Sequence, residues 1–203
     1  WICFVGSLFL LIVYLLTEGW KSVRKIIIIA AIIFACQGII FFKGFAAQYF
    51  HDRGDRLMAK SRYADAIQKY DMAKYLDPQI ARNEQIYLKL GEAYFNLGNP
   101  SHPEALFYRG YLYSQEQKFD ASIAEYLIAA DKASSQLKAI IHRRLALSFA
   151  KEGITQYRKS FIGTAIGYWE RALSFEPNQF QAFYFLTRAY FEEGRYKQSI
   201  VTS

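Results

Sequence analysis

The fold is decided by residues 50–78, which read FHDRGDRLMAKSRYADAIQKYDMAKYLDP. Small residues stand at Gly54, Ala66 and Ala73, and larger apolar or aromatic residues lie beside them at helical spacing. Small residues let two antiparallel helices approach closely, while the larger side chains fill the remaining space. Pro78 lacks a backbone N–H and cannot continue a helix. The stretch therefore predicts a hairpin of two helices that ends near Pro78.

The same pattern returns from Pro103, from Ala139 and from Phe180. One copy is a weak signal, but several copies in one phase indicate a repeat of about 34 residues. The chain from residue 47 onward resembles the tetratricopeptide-repeat (TPR) family. The residues that carry the resemblance are Phe50, Gly54, Leu57, Ala66, Tyr70, Ala73 and Pro78; Leu106, Gly110, Tyr113, Phe119, Ser122, Tyr126 and Ala129; Leu145, Ala146, Phe149, Gly153, Ala165, Trp169 and Ala172; and Phe183, Leu186, Ala189, Tyr190 and Gly194.

The resemblance implies an all-α, right-handed solenoid of helix-turn-helix units. The expected repeats cover residues 47–80, 84–102, 103–136, 139–179 and 180–203, and the second and last of these are incomplete. The copy at 84–102 has only 19 residues. Its shortfall of about 15 residues matches one helix and its turn. We therefore expect a missing segment between Gly98 and Pro100 and a spatial gap near Asn99, with an evolved half-repeat as the alternative.

The copy that begins at Ala139 departs from the repeat in another way. Its turn, residues 155–161, is expected to be seven residues longer than the others. Such an insertion is typical of a surface loop. The alternative is that its aromatic and basic residues mark a contact.

Two uncharged runs open the chain, at residues 1–16 and 26–42. A helix rises about 1.5 Å per residue and must cross roughly 30 Å of hydrocarbon. We predict transmembrane helices at 1–16 and 26–46, joined by a short basic loop at 17–25. Buried core helices are the alternative, but residues 26–33 are apolar on every face of a helix.

The charges of the short loop predict an orientation. The loop contains three basic residues, Lys21, Arg24 and Lys25, and one acidic residue, Glu18. Positive charge in short loops favours the cytoplasmic side. The protein is therefore expected to be an integral membrane protein whose repeats lie outside the cytoplasm, in the periplasm if the source is bacterial.

The charge of +7 does not indicate nucleic-acid binding, because basic and acidic residues are interspersed along the helices. The expected partners are proteins at the repeats and membrane lipid around residues 1–46. No small-molecule substrate is evident.

No catalytic, metal or cofactor site is expected. His51, His102 and His142 are far apart, and none has a second ligand at a metal-binding spacing. Nucleophile-elbow, phosphate-loop, dinucleotide and zinc-protease patterns are absent from the sequence. Cys3 and Cys36 lie in the apolar runs and form no disulfide framework. The sequence therefore predicts a binding protein and not an enzyme.

In TPR proteins the second, fifth, ninth, twelfth and thirteenth positions of each repeat line a concave groove. The resemblance implies that this groove binds a peptide or a partner helix. The alternative for Phe107, Leu147 and Phe191 is that they only support neighbouring repeats. The groove residues are Gln48, His51, Asp55, Met58 and Ala59; Glu104, Phe107, Tyr111, Ser114 and Gln115; Ile140, Arg143, Leu147, Ala150 and Lys151; and Gln181, Tyr184, Arg188, Phe191 and Glu192.

Chaperone-binding TPR proteins hold a partner's terminal carboxylate with a Lys and an Asn, and His51 and Asp55 stand at the equivalent positions here. That class of partner is disfavoured. The sequence predicts a membrane-anchored TPR scaffold that assembles or tethers a membrane-associated complex. The alternative is the C-terminal portion of a multi-span bacterial envelope glycan ligase or polymerase, which a first residue of Trp instead of Met leaves open.

Overall fold

The structure, a computed structural model, describes residues 20–195, leaving out the side chains of residues 20–24, 26, 35–36 and 38–41. Every regular element in this range is a helix, which confirms the all-α prediction for it. The helices are α1 Trp20–Met58, α2 Tyr63–Leu76, α3 Pro78–Arg82, α4 Glu84–Asn96, α5 Pro103–Gln115, α6 Phe119–Lys132, α7 Ser135–Arg158, α8 Ile162–Phe175 and α9 Phe180–Glu192.

The predicted membrane segments do not correspond to separate helices in the described residues. The expected span at 1–16 lies outside the described residues, and residues 20–25, expected in a loop, belong to α1. The expected span at 26–46 is also part of α1, which continues without a break to Met58. Within residues 20–195, no helix has both the length and the apolar character that crossing a membrane requires.

The same kind of close contact occurs in each of three hairpins, α1/α2, α5/α6 and α7/α8. A glycine on the first helix faces an aromatic ring sixteen residues later on the second, in the pairs Gly54–Tyr70, Gly110–Tyr126 and Gly153–Trp169. A Cβ at these glycines would lie only 2.5, 2.7 and 2.4 Å from the ring. The predicted role of Gly54 and Gly110 is confirmed, because no larger residue fits between the helices.

The hairpin turns also share a geometry. Ser61, Gln117 and Ser160 each follow the contact glycine by seven residues and have φ of 55, 60 and 66°. The residue after each donates its backbone N–H to a carbonyl five residues earlier, which closes the first helix. Gly98 after α4 and Gly194 after α9 have the same left-handed backbone, with φ of 83 and 72°. The described helices α4 and α9 therefore end as first helices of a repeat do.

The predicted long turn at residues 155–161 is wrong. Residues 155–158 complete α7, and only residues 159–161 connect it to α8. The seven additional residues lengthen α7 at its N-terminal end instead, because Gly153, only five residues before the end of α7, contacts the ring of Trp169. The helix therefore keeps the common turn and extends in the opposite direction.

The expected gap near Asn99 is also wrong. The chain is continuous from α4 to α5, with Asn99 N donating to Tyr94 O at 2.9 Å and His102 N donating to Asn99 O at 3.3 Å. The rings of Tyr94 and His102 stack with their centroids 3.6 Å apart. Pro103 suits the first position of α5, where a helix needs no N–H from it.

Helix α5 takes the place of the absent second helix. A Cβ at Gly91 of α4 would lie 2.2 Å from the carbonyl oxygen of Glu104, so α4 and α5 touch directly. On its other side α5 is the first helix of the α5/α6 hairpin through Gly110. One helix thus serves two neighbours, and the structure contains the half-repeat.

Helix α7 also packs against helices that lie far from it in the sequence. It contacts α3 and α4, and its Leu137, Ile140 and Ile141 are buried. Arg144 Nε donates to Glu84 Oε1 of α4 at 2.6 Å, and its guanidinium lies 5.4 Å from the ring centroid of Tyr111 on α5. The buried apolar side chains form one cluster from Leu57 to Tyr190.

Candidate functional site

The first helices of the hairpins, together with α4 and α9, carry three pockets of different chemistry. We call them the N-terminal, central and C-terminal pockets. Nine of the residues predicted to line the groove line one of the pockets: Asp55, Met58 and Ala59; Ser114, Gln115 and Lys151; and Tyr184, Arg188 and Phe191.

The N-terminal pocket, of about 370 Å³, lies between α1, α2 and α4. Its polar centre is Asp55, which accepts hydrogen bonds from Lys89 Nζ at 2.7 and 2.8 Å and from Tyr70 Oη at 2.7 Å. Burial alone would raise the pKa of Asp55, but the bonds from Lys89 and Tyr70 and the charge of Lys89 hold it below its ordinary value. Burial and the bond to Asp55 raise the pKa of Tyr70. The pocket is lined by Asp55, Met58, Ala59, Tyr63, Tyr70, Lys89, Glu92 and Asn96.

His51 and Gln48 lie beside this pocket on α1. The Nε2 atom of His51 is 3.2 Å from Lys89 Nζ, and Gln48 Nε2 donates to Asp52 at 2.8 Å. These contacts form one network of charged and polar side chains between α1 and α4. In this network the carboxylate of Asp55 compensates the positive charge of Lys89.

The central pocket, of about 410 Å³, lies between α5 and α7 and extends to the start of α6. Lys151 and Arg158 are its two charged residues, and Lys151 Nζ lies 5.6 Å from the ring centroid of Phe119. Its other lining residues are uncharged and include Ser114, which is buried. The complete lining is Ser114, Gln115, Gln117, Phe119, Lys151, Ile154, Thr155 and Arg158.

The C-terminal pocket, of about 400 Å³, is an apolar surface along α9. Phe180, Tyr184 and Phe191 have exposed fractions of 77, 52 and 62%. It is lined by Phe180, Phe183, Tyr184, Thr187, Arg188 and Phe191.

A polar link joins α7 to α9 beside the C-terminal pocket. Tyr157 Oη donates to Glu192 at 2.6 Å, and Arg188 Nε donates to the same carboxylate at 2.9 Å. These two hydrogen bonds lower the pKa of Glu192, and the bond to Glu192 raises the pKa of Tyr157. Arg188 also lies over the Tyr157 ring, at 5.7 Å from its centroid.

Several predicted groove residues are placed elsewhere. Phe107, Ile140 and Ala150 are buried in the core, so they present no surface to a partner, and Phe107 packs against Tyr126 instead. The ring of Tyr111 packs against the guanidinium of Arg144. The Oε2 atom of Glu104 lies 2.6 Å from Nδ1 of His102. Arg143 and Gln181 are exposed, and Leu147 is half-buried, but none of the three lines the N-terminal, central or C-terminal pocket.

The shifted phase of α7 explains what the sequence analysis missed. With Gly153 as the contact glycine, the groove positions of this repeat become Leu147, Ala150, Ile154, Tyr157 and Arg158, seven residues beyond the predicted set. Ile154 and Arg158 do line the central pocket. The available signal was the interval of sixteen residues between Gly153 and Trp169, which matches Gly54 and Tyr70.

Within the described part of the chain, no group of three or more His, Cys, Asp or Glu side chains is placed to hold a metal ion. The C-terminal pocket presents exposed aromatic rings, and the N-terminal and central pockets carry charged side chains. Such an arrangement can contact an extended segment or a helix of another protein.

No known family model matches the chain. Among solved structures it is similar to the MamA protein, with 21% identity, a TM-score of 0.36, and coverage of 78% of this chain and 88% of that one. It is also similar to the first TPR of Spaghetti (RPAP3) bound to the HSP90 peptide SRMEEVD, with 18% identity, a TM-score of 0.27, and coverage of 74 and 95%. For pilF of Pseudomonas aeruginosa the identity is 14%, the TM-score 0.39, and the coverage 79 and 74%. All three TM-scores are below 0.5.

Proposed function

We propose that this protein is a scaffold that binds a segment of a partner protein along the N-terminal, central and C-terminal pockets. The observation that carries the proposal is the C-terminal pocket, where Phe180, Tyr184 and Phe191 expose most of their surface. Large aromatic side chains dominate the free energy of protein interfaces when a partner covers them. The charged N-terminal and central pockets would supply the specificity that an apolar patch lacks.

A photo-cross-linker tests this binding. We expect benzoylphenylalanine at Tyr184, introduced into the full chain in its native cells, to give a discrete adduct with another protein. The matched control is the same amino acid at Tyr75 on α2, which is 88% exposed but lies outside the three pockets. Phe180→Ser with Phe191→Ser should abolish the adduct at position 184. Equal adducts at both positions, or an adduct that survives the double substitution, would contradict the proposal.

We further propose that the N-terminal 46 residues attach the protein to a membrane and that the repeats lie outside the cytoplasm. The uncharged runs of the sequence support the attachment. So do the exposed side chains of α1 from Ile27 to Phe45, because seven of them have exposed fractions between 51 and 71% and Phe34 reaches 73%. Apolar side chains on every side of a helix are costly in water and favourable in lipid. The basic residues at 21–25 support the orientation.

Fractionation and cysteine labelling test this proposal. We expect the chain to stay with membranes after alkaline carbonate extraction. In a chain without Cys3 and Cys36, a membrane-impermeant maleimide applied to intact cells should label Lys159→Cys but not Ser22→Cys. The reverse labelling would overturn the orientation, and release of the chain by carbonate would overturn the attachment.

A further inference from the structure

We propose that the central pocket is a binding site for the carboxylate side chain of an Asp or Glu in the partner segment. The inference rests on the proposed function, because it assigns a chemistry to one part of the same groove.

The two pockets occupy equivalent places in the repeat. Each lies between two first helices, and each contains a lysine two residues before a contact glycine, Lys89 before Gly91 and Lys151 before Gly153. The helix opposite each lysine has its own contact glycine, Gly54 or Gly110. The two lysines can therefore be compared directly.

The two pockets differ in the residue that follows the contact glycine on the helix opposite the lysine. After Gly54 it is Asp55, whose carboxylate accepts two hydrogen bonds from Lys89 and neutralises its charge. After Gly110 it is Tyr111, whose ring lies against Arg144 and carries no charge. Within residues 20–195, no carboxylate lies within salt-bridge distance of Lys151, which contacts the ring of Phe119 instead.

Arg158 adds a second uncompensated charge to the central pocket. It occupies the place of the neutral Asn96 in the N-terminal pocket, and no carboxylate of the described residues pairs with it either. The nearby acids are engaged elsewhere, since Glu116 pairs with Lys118 and Glu152 accepts from Gln156. The pocket thus holds two cations and no anion.

The remaining lining fits the side chain of an acidic residue. Phe119 and Ile154 provide apolar contact for its methylene groups, and Gln115 and Gln117 provide amide donors. A carboxylate held between a lysine and an arginine receives charge-assisted hydrogen bonds. The charges therefore complement an Asp or Glu of a protein segment seated in the groove.

Lysine NMR on the full chain in maltoside micelles tests the site, with ¹³C-dimethylated lysines that keep their charge. The probes are N-acetyl-glutamate amide, the uncharged N-acetyl-glutamine amide and inorganic phosphate. We expect the glutamate probe to shift the Lys151 resonance saturably and to leave Lys89 unchanged, and the glutamine probe to shift neither. Arg158→Gln should weaken the binding by about three- to tenfold. Lys138→Gln, an equal charge change at an exposed position of α7, should not weaken it.

Three results would overturn the proposal: no saturable shift of Lys151, equal shifts of Lys89 and Lys151, or tighter binding of phosphate than of the glutamate probe. The test is separate from that of the proposed function. If Lys151 fails to respond while position 184 still cross-links a partner, only the carboxylate site is wrong. If Lys151 responds as expected and the cross-link is absent, the central pocket binds a carboxylate, but its assignment to a partner segment is wrong together with the proposed function.

Discussion

Single residues set the spacing of this repeat array. A contact glycine brings the two helices of a hairpin together, and a residue with left-handed backbone seven positions later closes the first helix. In the described hairpins that residue is Ser61, Gln117 or Ser160, although glycine adopts this conformation at lower cost. The glycine and the left-handed residue together define the phase more sharply than hydrophobic periodicity does.

Two glycine substitutions should change stability in opposite directions. Gly110→Ala would place a Cβ 2.7 Å from the buried ring of Tyr126, and we expect a loss of about 1–3 kcal/mol in the free energy of unfolding. Gly167→Ala on α8 meets no atom within 4 Å, and alanine favours a helix by roughly 0.5–1 kcal/mol. Chemical denaturation of both variants measures the difference. A Gly110→Ala variant that is as stable as the unchanged protein would contradict the close contact at Gly110.

The Asp55 network should make stability depend on pH. The pKa of Asp55 is lowered in the folded protein, so its ionised form stabilises the fold above the ordinary value of 3.8, and this stabilisation is lost as the pH falls below 3.8 and through the lower pKa of the folded protein. Because the carboxylate is partly exposed, Asp55→Asn should cost about 1 kcal/mol or less at neutral pH. Melting temperatures of the two proteins should therefore converge as the pH falls from about 6 to about 3. A difference that stays constant with pH would contradict this role of Asp55.

At the scale of elements, the sequence predicted well what local sterics control. The hairpin at residues 50–78, the contact at Gly110 and the all-α class follow from small and aromatic residues at fixed intervals. The half-repeat and the length of α7 were predicted wrongly. Both depend on which helix fills the space beside α4, and that choice is made by packing between segments far apart in the sequence, such as Glu84 and Arg144. The same error displaced the candidate groove residues of α7 by seven positions.

The end of α7 can be tested by two substitutions at its turn. Ser160 has φ of 66°, so Ser160→Gly should relieve strain and stabilise the protein by roughly 0.5–1 kcal/mol. Thr155 lies inside the helix, so Thr155→Pro should remove a backbone hydrogen bond and cost about 3 kcal/mol or more. Thermal melts of both variants provide the measurement. If residues 155–161 formed one long turn, the proline would be tolerated, and that result would refute the position of the helix end.

At the scale of the whole molecule, the array is held together by more than contacts between neighbours. Repeat proteins usually gain stability from adjacent units only, so their ends can open separately. Here α7 contacts not only its neighbour α6 but also α3 and α4, which lie earlier in the chain, and its Arg144 donates to Glu84 of α4. Helix α5 fills the place of the second helix that α4 lacks, and α7 adds to this packing, because Leu137, Ile140 and Ile141 near its start are buried. The half-repeat and the extended helix are therefore two parts of one arrangement.

Arg144 offers the sharpest test of this long-range coupling. It pairs with Glu84 of α4 and lies against Tyr111, whereas the adjacent Arg143 is exposed and makes neither contact. We expect Arg144→Ala to lower the opening free energy of α4 by about 1–2 kcal/mol, because a partly buried, charge-assisted contact is lost. In hydrogen exchange of the full chain, α4 amides should then exchange roughly tenfold faster, while α8 amides keep their rates. Arg143→Ala should change neither helix. Equal acceleration in α4 and α8 would mean that Arg144 stabilises the molecule as a whole, and unchanged α4 rates would mean that α7 does not support α4.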